Sequence, residues 1–193
     1  MLILTSNGLT SPELLNRSAP YIAHKRYALV TTASVGYKAN DRHVPRLMQE
    51  LLTCGAASVD LFDFDEQTPE ALSSYDCALL IGGNPFYLLS SIRKHGFSDI
   101  LHSFSSEKTL IGVSAGSLVL TPSIAIINEY TPEMNNDVHL ADFTALSLYP
   151  YEILPHYSKF LTRYDRFEEK AQVYERMHSV TLHRLNDGEA IFY

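Results

Sequence analysis

The chain has 193 residues, 46% hydrophobic and 19% charged, enough to bury one sizeable core without disulfide or metal staples. Fifteen lysines and arginines against 22 aspartates and glutamates give a net charge of −7, which argues against a partner bound through nucleic-acid phosphates. Ordinary apolar content argues against disorder, two cysteines (Cys54 and Cys77) against a disulfide scaffold, and the lack of any long apolar run against a membrane span. The expectation is a soluble, cytoplasmic, single-domain protein over residues 1–193, with no metal site and its oligomeric state left open.

Short apolar runs at Met1–Thr5, Tyr27–Thr32, Ser58–Phe64, Cys77–Ile81 and Thr109–Val113 predict strands. Several are near-continuous, as in strands covered on both faces. Helical spacing marks Pro12–His24, Val44–Cys54, Phe86–Lys94 and Ser98–Phe104 between them. Pro12 with Glu13 suits a first helical turn, where no amide donor is needed and negative charge is favoured. Gly55 suits a helix C-terminal cap. Such alternation predicts an α/β fold, a parallel sheet with helices on both faces.

Beyond Ser114 the pattern weakens. Ser123–Asn128 and Ala145–Pro155 read as strands or extended loops separated by the polar stretch Glu129–Asp142. Asp165–His178 reads as a charged helix with Phe167, Ala171, Tyr174 and Met177 on one side. Val180–Arg184 and Glu189–Tyr193 predict a closing hairpin across Asn186-Asp187-Gly188.

In open α/β sheets ligands bind beyond the carboxyl ends of the strands, so chemistry is sought there. The run Thr109–Val113 leads into Gly112-Val113-Ser114-Ala115-Gly116, a G-x-S-x-G pattern followed by an apolar helix. Small flanking residues let such a strand-to-helix turn bend sharply and expose the serine hydroxyl. The alternative is a tight turn that uses small residues only for packing. His156 follows the extended run Tyr151–Pro155 and is the candidate base, or else a structural histidine at a strand end. Glu129, Glu133, Asp137, Asp142 and Glu152 could each orient it, and spacing does not choose among them. Gly82-Gly83 ends another central strand and can bring a backbone N–H close to a ligand. Asn84-Pro85 then looks like a helix N-cap and first residue.

Four segments in order resemble the dipeptidase E and cyanophycinase family of serine peptidases. They are Leu4-Thr5-Ser6-Asn7, the glycine-rich Ile81–Leu89, the Ile111–Ile124 segment around Ser114, and Phe143–Tyr157 with its Pro155-His156 pair. The resemblance implies a flavodoxin-like sheet related to class I glutamine amidotransferases, with serine in place of cysteine. It also implies intracellular cleavage of small peptides without a cofactor, dipeptidase E preferring an N-terminal aspartate. Ser114 would be nucleophile and His156 base. The third residue, fifteen positions after the serine, would be Glu129. Backbone N–H groups of Gly83 and Ala115 would hold the oxyanion. Arg163 takes the place attributed to aspartate recognition, with Arg166 and Asn84 as further substrate-binding candidates. The motifs reach nearly end to end, leaving little for a lid, and the chain is expected to stop inside the family's terminal strands. The alternatives are an esterase or a peptidase without aspartate preference, and a non-catalytic module binding a phosphate at Ser6–Gly8 and Gly82–Asn84.

Overall fold

The computed structural model describes residues 1–193. Its main sheet is built from strands whose successive side chains enter two different apolar layers. In β1 (Leu2–Thr5), Leu2 and Leu4 join one layer and Ile3 the other; in β4 (Cys77–Leu80), Ala78 and Leu80 oppose Cys77 and Leu79. Burial on both faces is why these strands read as continuous apolar runs rather than as alternation. With β2 (Arg26–Val30), β3 (Ser58–Phe62), β5 (Thr109–Val113) and β8 (Ala190–Phe192), the order is β3-β2-β4-β5-β1-β8. Every neighbouring pair is parallel except β1 with β8. The fold is the α/β, flavodoxin-like, class I glutamine amidotransferase-like arrangement.

The two faces are unequally covered. One layer holds 15 buried residues and is roofed by α1 (Pro12–Ile22) and α2 (Val44–Thr53). The other holds 34 and takes side chains from α3 (Pro69–Ser73), α4 (Pro85–Lys94), α5 (Ser98–Glu107), α6 (Ala115–Leu118) and α7 (Ala125–Asn128). It also receives the second sheet, β6 (Glu152–Pro155) parallel to β7 (Leu182–Leu185), and α9 (Phe167–His178). The short α8 (Tyr157–Arg163) follows β6 directly.

Three expectations are corrected, while Ala145–Pro155 is, as expected, loop and strand, with β6 its strand portion. Residues 125–128 are helical, and Ser123 keeps only an isolated antiparallel bridge to Thr144. Met177, on the last turn of α9, is exposed, whereas Phe167, Ala171 and Tyr174 are buried. The closing hairpin does not form. Leu182 of β7 is drawn into the larger layer beside β6 and Leu185 is buried as well, while β8 covers the free edge of β1. An uncovered edge strand leaves unpaired amides and carbonyls, and β8 satisfies them. Residues 186–189 therefore bridge two sheets instead of turning within one.

Candidate active site

The β5–α6 junction is a strained turn locked from below. Ser114 adopts φ 51°, ψ −109°, a conformation that costs on the order of 1–3 kcal/mol for a residue with a side chain. Its N–H donates to Thr5 O (3.0 Å). Ser117 Oγ donates to Thr5 O (2.8 Å) and accepts from Thr5 N–H (3.0 Å). A Cβ on Gly116 would lie 2.1 Å from Leu80 O, so the turn can press onto β4 only with glycine there. The half-buried Ser114 hydroxyl is left facing the carboxyl edge of the sheet.

Gly82-Gly83 lies alongside. A Cβ on Gly82 would sit 3.8 Å from Ser114 Oγ, and one on Gly83 (φ +144°) would collide with Ala33 O at 2.1 Å. Neither Gly83 N–H nor Ala115 N–H donates to an acceptor within the protein. Two free donors thus border the serine.

His156 is also held in an unusual conformation, left-handed at φ 58°, ψ 28°, immediately after β6. Its Nε2 is 2.9 Å from Ser114 Oγ and its Nδ1 is 2.6 Å from Asp187 Oδ1. A carboxylate only accepts hydrogen bonds, so it holds the imidazole proton on Nδ1 and leaves the Nε2 lone pair toward the serine. The buried Ser6 joins the pieces: its Oγ accepts from His156 N–H (2.8 Å) and donates to Asp187 Oδ1 (2.6 Å). Gly188 N–H donates to Asn7 Oδ1 (2.9 Å), and Ser158 donates through its N–H and hydroxyl to Asn186 Oδ1, fixing the segment that carries Asp187. Burial pushes the Asp187 carboxyl upward, but the Ser6 hydroxyl, the His156 imidazole and the Lys159 charge outweigh it. Together they hold the group below the usual aspartate range.

Ser114 and His156 stand where two clefts meet. The larger, about 640 Å³, is polar and includes Asn7, Asp41, Arg42, His43, Arg46 and Lys159 in its walls. The smaller, about 360 Å³, is faced by Leu118, Ile127, Tyr130, Met134, Phe160 and Tyr164, with Arg163 and Glu133 beside them. Gly83 and Lys159 border both. No group of three or more His, Cys, Asp or Glu side chains is placed to hold a metal ion, and no helix is long and apolar enough to cross a membrane.

The family model described as peptidase family S51 matches residues 2–193. The chain belongs to that family. An uncharacterized peptidase of Pasteurella multocida is 31% identical over 114 residues, 58% of this chain and 52% of that protein. Peptidase E of Shewanella sp. is 34% identical over 107 residues, 53% of this chain and 42% of the relative. The chain thus spans about half the length of the curated relatives it matches. The crystal structure of a candidate peptidase E protein from Listeria monocytogenes superposes with a TM-score of 0.77 at 26% identity, covering 100% of this chain and 93% of the other. A peptidase from an acI-B1 actinobacterium shares the fold, with a TM-score of 0.67 at 17% identity over 98% of this chain and 81% of the other.

Within this S51 chain, the residues expected from sequence fall into two groups. Ser114, His156, Gly83, Ala115 and Arg163 gather around one junction. Three others are placed or engaged elsewhere. Glu129 makes no hydrogen bond to His156; the carboxylate on Nδ1 is that of Asp187, because the 186–189 crossover delivers it to the strand ends. Asn84 has both polar atoms engaged, Oδ1 accepting from the Phe86 and Tyr87 N–H groups and Nδ2 donating to Met134 O (2.6 Å). It caps α4 and fastens the 132–135 turn. Arg166 lies outside both clefts and pairs with Glu169 on the surface of α9. Asp187 is the site member that the sequence does not single out, whereas Ser6 stands in the sequence reading only within the first-strand motif and the alternative phosphate site. The acidic candidates weighed for the imidazole lie between Ser114 and His156, and Asn186-Asp187-Gly188 reads in sequence as a turn.

Proposed function

We propose that this S51 chain is a serine hydrolase of small peptides in which Ser114, His156 and Asp187 form the catalytic triad. The contact chain Ser114 Oγ–His156 Nε2, His156 Nδ1–Asp187 Oδ1 carries the reading. His156 takes the Ser114 proton as Oγ attacks the scissile carbonyl, and Asp187 orients the imidazole and stabilises its cationic form. The free N–H groups of Gly83 and Ala115 donate hydrogen bonds to the developing oxyanion. His156 then returns the proton to the leaving amine, and water, activated by the same imidazole, releases the acyl group from Ser114. The amine and acid fragments leave, and the enzyme is restored.

The finer reading is that the acyl residue lies in the smaller cleft and that Arg163 favours an aspartate there. Arg163 forms no ion pair within the protein, and its guanidinium can receive a carboxylate through two hydrogen bonds. In a chain of net charge −7 such a preference depends on a local cation. Ser114→Ala should abolish dipeptide hydrolysis and labelling by a fluorophosphonate probe. A variant that labels and hydrolyses like the parent would overturn the triad.

A further inference from the structure

The charged groups around the larger cleft are not equally committed. Asp187 is held by His156 and Ser6. Asp41 accepts from the Ser34 hydroxyl and from His43 N–H (2.7 Å). Arg46 is paired with Glu50 and donates to Asn7 O (2.8 Å). Every carboxylate bordering the cleft therefore has an internal partner, and so does that arginine.

Two cations remain. Arg42 donates from Nε to His43 Nε2 (3.2 Å) and has no acidic partner on its terminal nitrogens. Lys159 forms neither an ion pair nor a side-chain hydrogen bond, its charge reaching Asp187 only through space, and it borders Ser114 and His156 from both clefts. Both side chains are exposed, so a ligand can reach them.

We infer that the larger cleft is a leaving-group subsite in which Arg42 and Lys159 bind the free α-carboxylate of the departing amino acid. The inference rests on the peptidase reading and extends it. With the acyl residue in the smaller cleft, the amine side of the scissile bond enters the larger one. In a dipeptide that amine belongs to a residue ending in a carboxylate, an anion that meets two uncommitted cations. In a longer peptide or an amide the charge is absent or further away. The subsite thus selects dipeptides by their C-terminal charge, separately from any selection by Arg163.

The test compares kcat/KM for Asp-Leu and for its C-terminal amide, Asp-Leu-NH2, in the parent, in Arg42→Ala with Lys159→Ala, and in Arg176→Ala. The last removes a like charge from the exposed face of α9, outside both clefts. The parent should favour the free acid at least about tenfold, as expected for charge-assisted hydrogen bonds. The double variant should bring the ratio to within about twofold of one, and Arg176→Ala should leave the parental ratio. Protection of Ser114 from the fluorophosphonate gives a readout that needs no turnover: leucine should protect the parent more than leucinamide, and equally poorly in the double variant. Equal handling of acid and amide by the parent, or a ratio that survives the double substitution, overturns the subsite while leaving the triad standing. Failure of the parent to label or to cleave either peptide overturns the peptidase reading and the subsite together.

Discussion

The two clefts that meet at Ser114 are made from opposite faces of one sheet. The smaller lies on the heavily packed face, where α6, α7 and α8 supply Leu118, Ile127 and Phe160, so its walls are extensions of the core. The larger lies toward the face covered by α1 and α2, and its rim comes from the loops after β1 and before α2, which carry Asn7, Asp41 and Arg42. Packing shapes the first, and ionic and hydrogen-bonding groups shape the second. A hydrolase that must hold two unlike halves of a substrate gains from such asymmetry, because each half can be selected by different physics. Ser114, His156, Lys159 and the Gly83 backbone form the shared wall.

Substitutions at the shared wall should erase the distinction between the clefts. Asp187→Asn leaves the shape but removes the carboxylate that fixes the Nδ1 proton, and steady-state kcat should fall roughly 100- to 10,000-fold on every substrate. Glu129→Gln should stay within about twofold of the parent; a large loss there, with Asp187→Asn active, would reverse the assignment of the third residue. Gly83→Ala places a Cβ 2.1 Å from Ala33 O and must displace the proposed oxyanion donor. Its kcat should fall on the order of 100-fold for acid and amide alike, with a lower melting temperature.

Substitution on one side should sharpen the contrast. Arg163→Ala should lower kcat/KM for Asp-Leu relative to Ala-Leu by roughly 10- to 100-fold, measured by competition between the two dipeptides. Unchanged discrimination would remove Arg163 from aspartate recognition. Ser6→Ala should cost about tenfold in kcat with little change in KM, because Ser6 hydrogen-bonds His156 and Asp187 and acts through them.

The smallest expected effect concerns acid stability. The Asp187 carboxyl is held below its ordinary range in the folded chain. Its contribution is complete above the unfolded-chain value, about 3.9, and is lost as pH falls through the lower folded value. Asp187→Asn should therefore flatten the pH dependence of unfolding on the acid side of about pH 4, as read by urea titrations at successive pH values. An unchanged slope would mean that Asp187 is not held ionised by its neighbours.

Some features of this protein were set by contiguous residues. The strands of the parallel sheet announce themselves because two-sided burial demands continuous apolar runs, as in Cys77–Leu80. The Ser114 turn is legible because its requirements are local: a small residue against Leu80 O and a serine at the bend. Pro155-His156 is legible because the strand end alone places the imidazole. Asp187 was not legible, and the reason is tertiary. Whether Asn186-Asp187-Gly188 closes a hairpin or crosses between sheets depends on whether β8 pairs with β7 or with the edge of β1, a competition that local residues do not decide. The pairing with β1 brings Ser6, His156 and Asp187 together across separations of 150 and 181 residues, and only then does the carboxylate have its imidazole. The net charge of −7 likewise gave no hint of Arg42 and Lys159, because which charges remain uncommitted depends on the partners that folding assigns to the others.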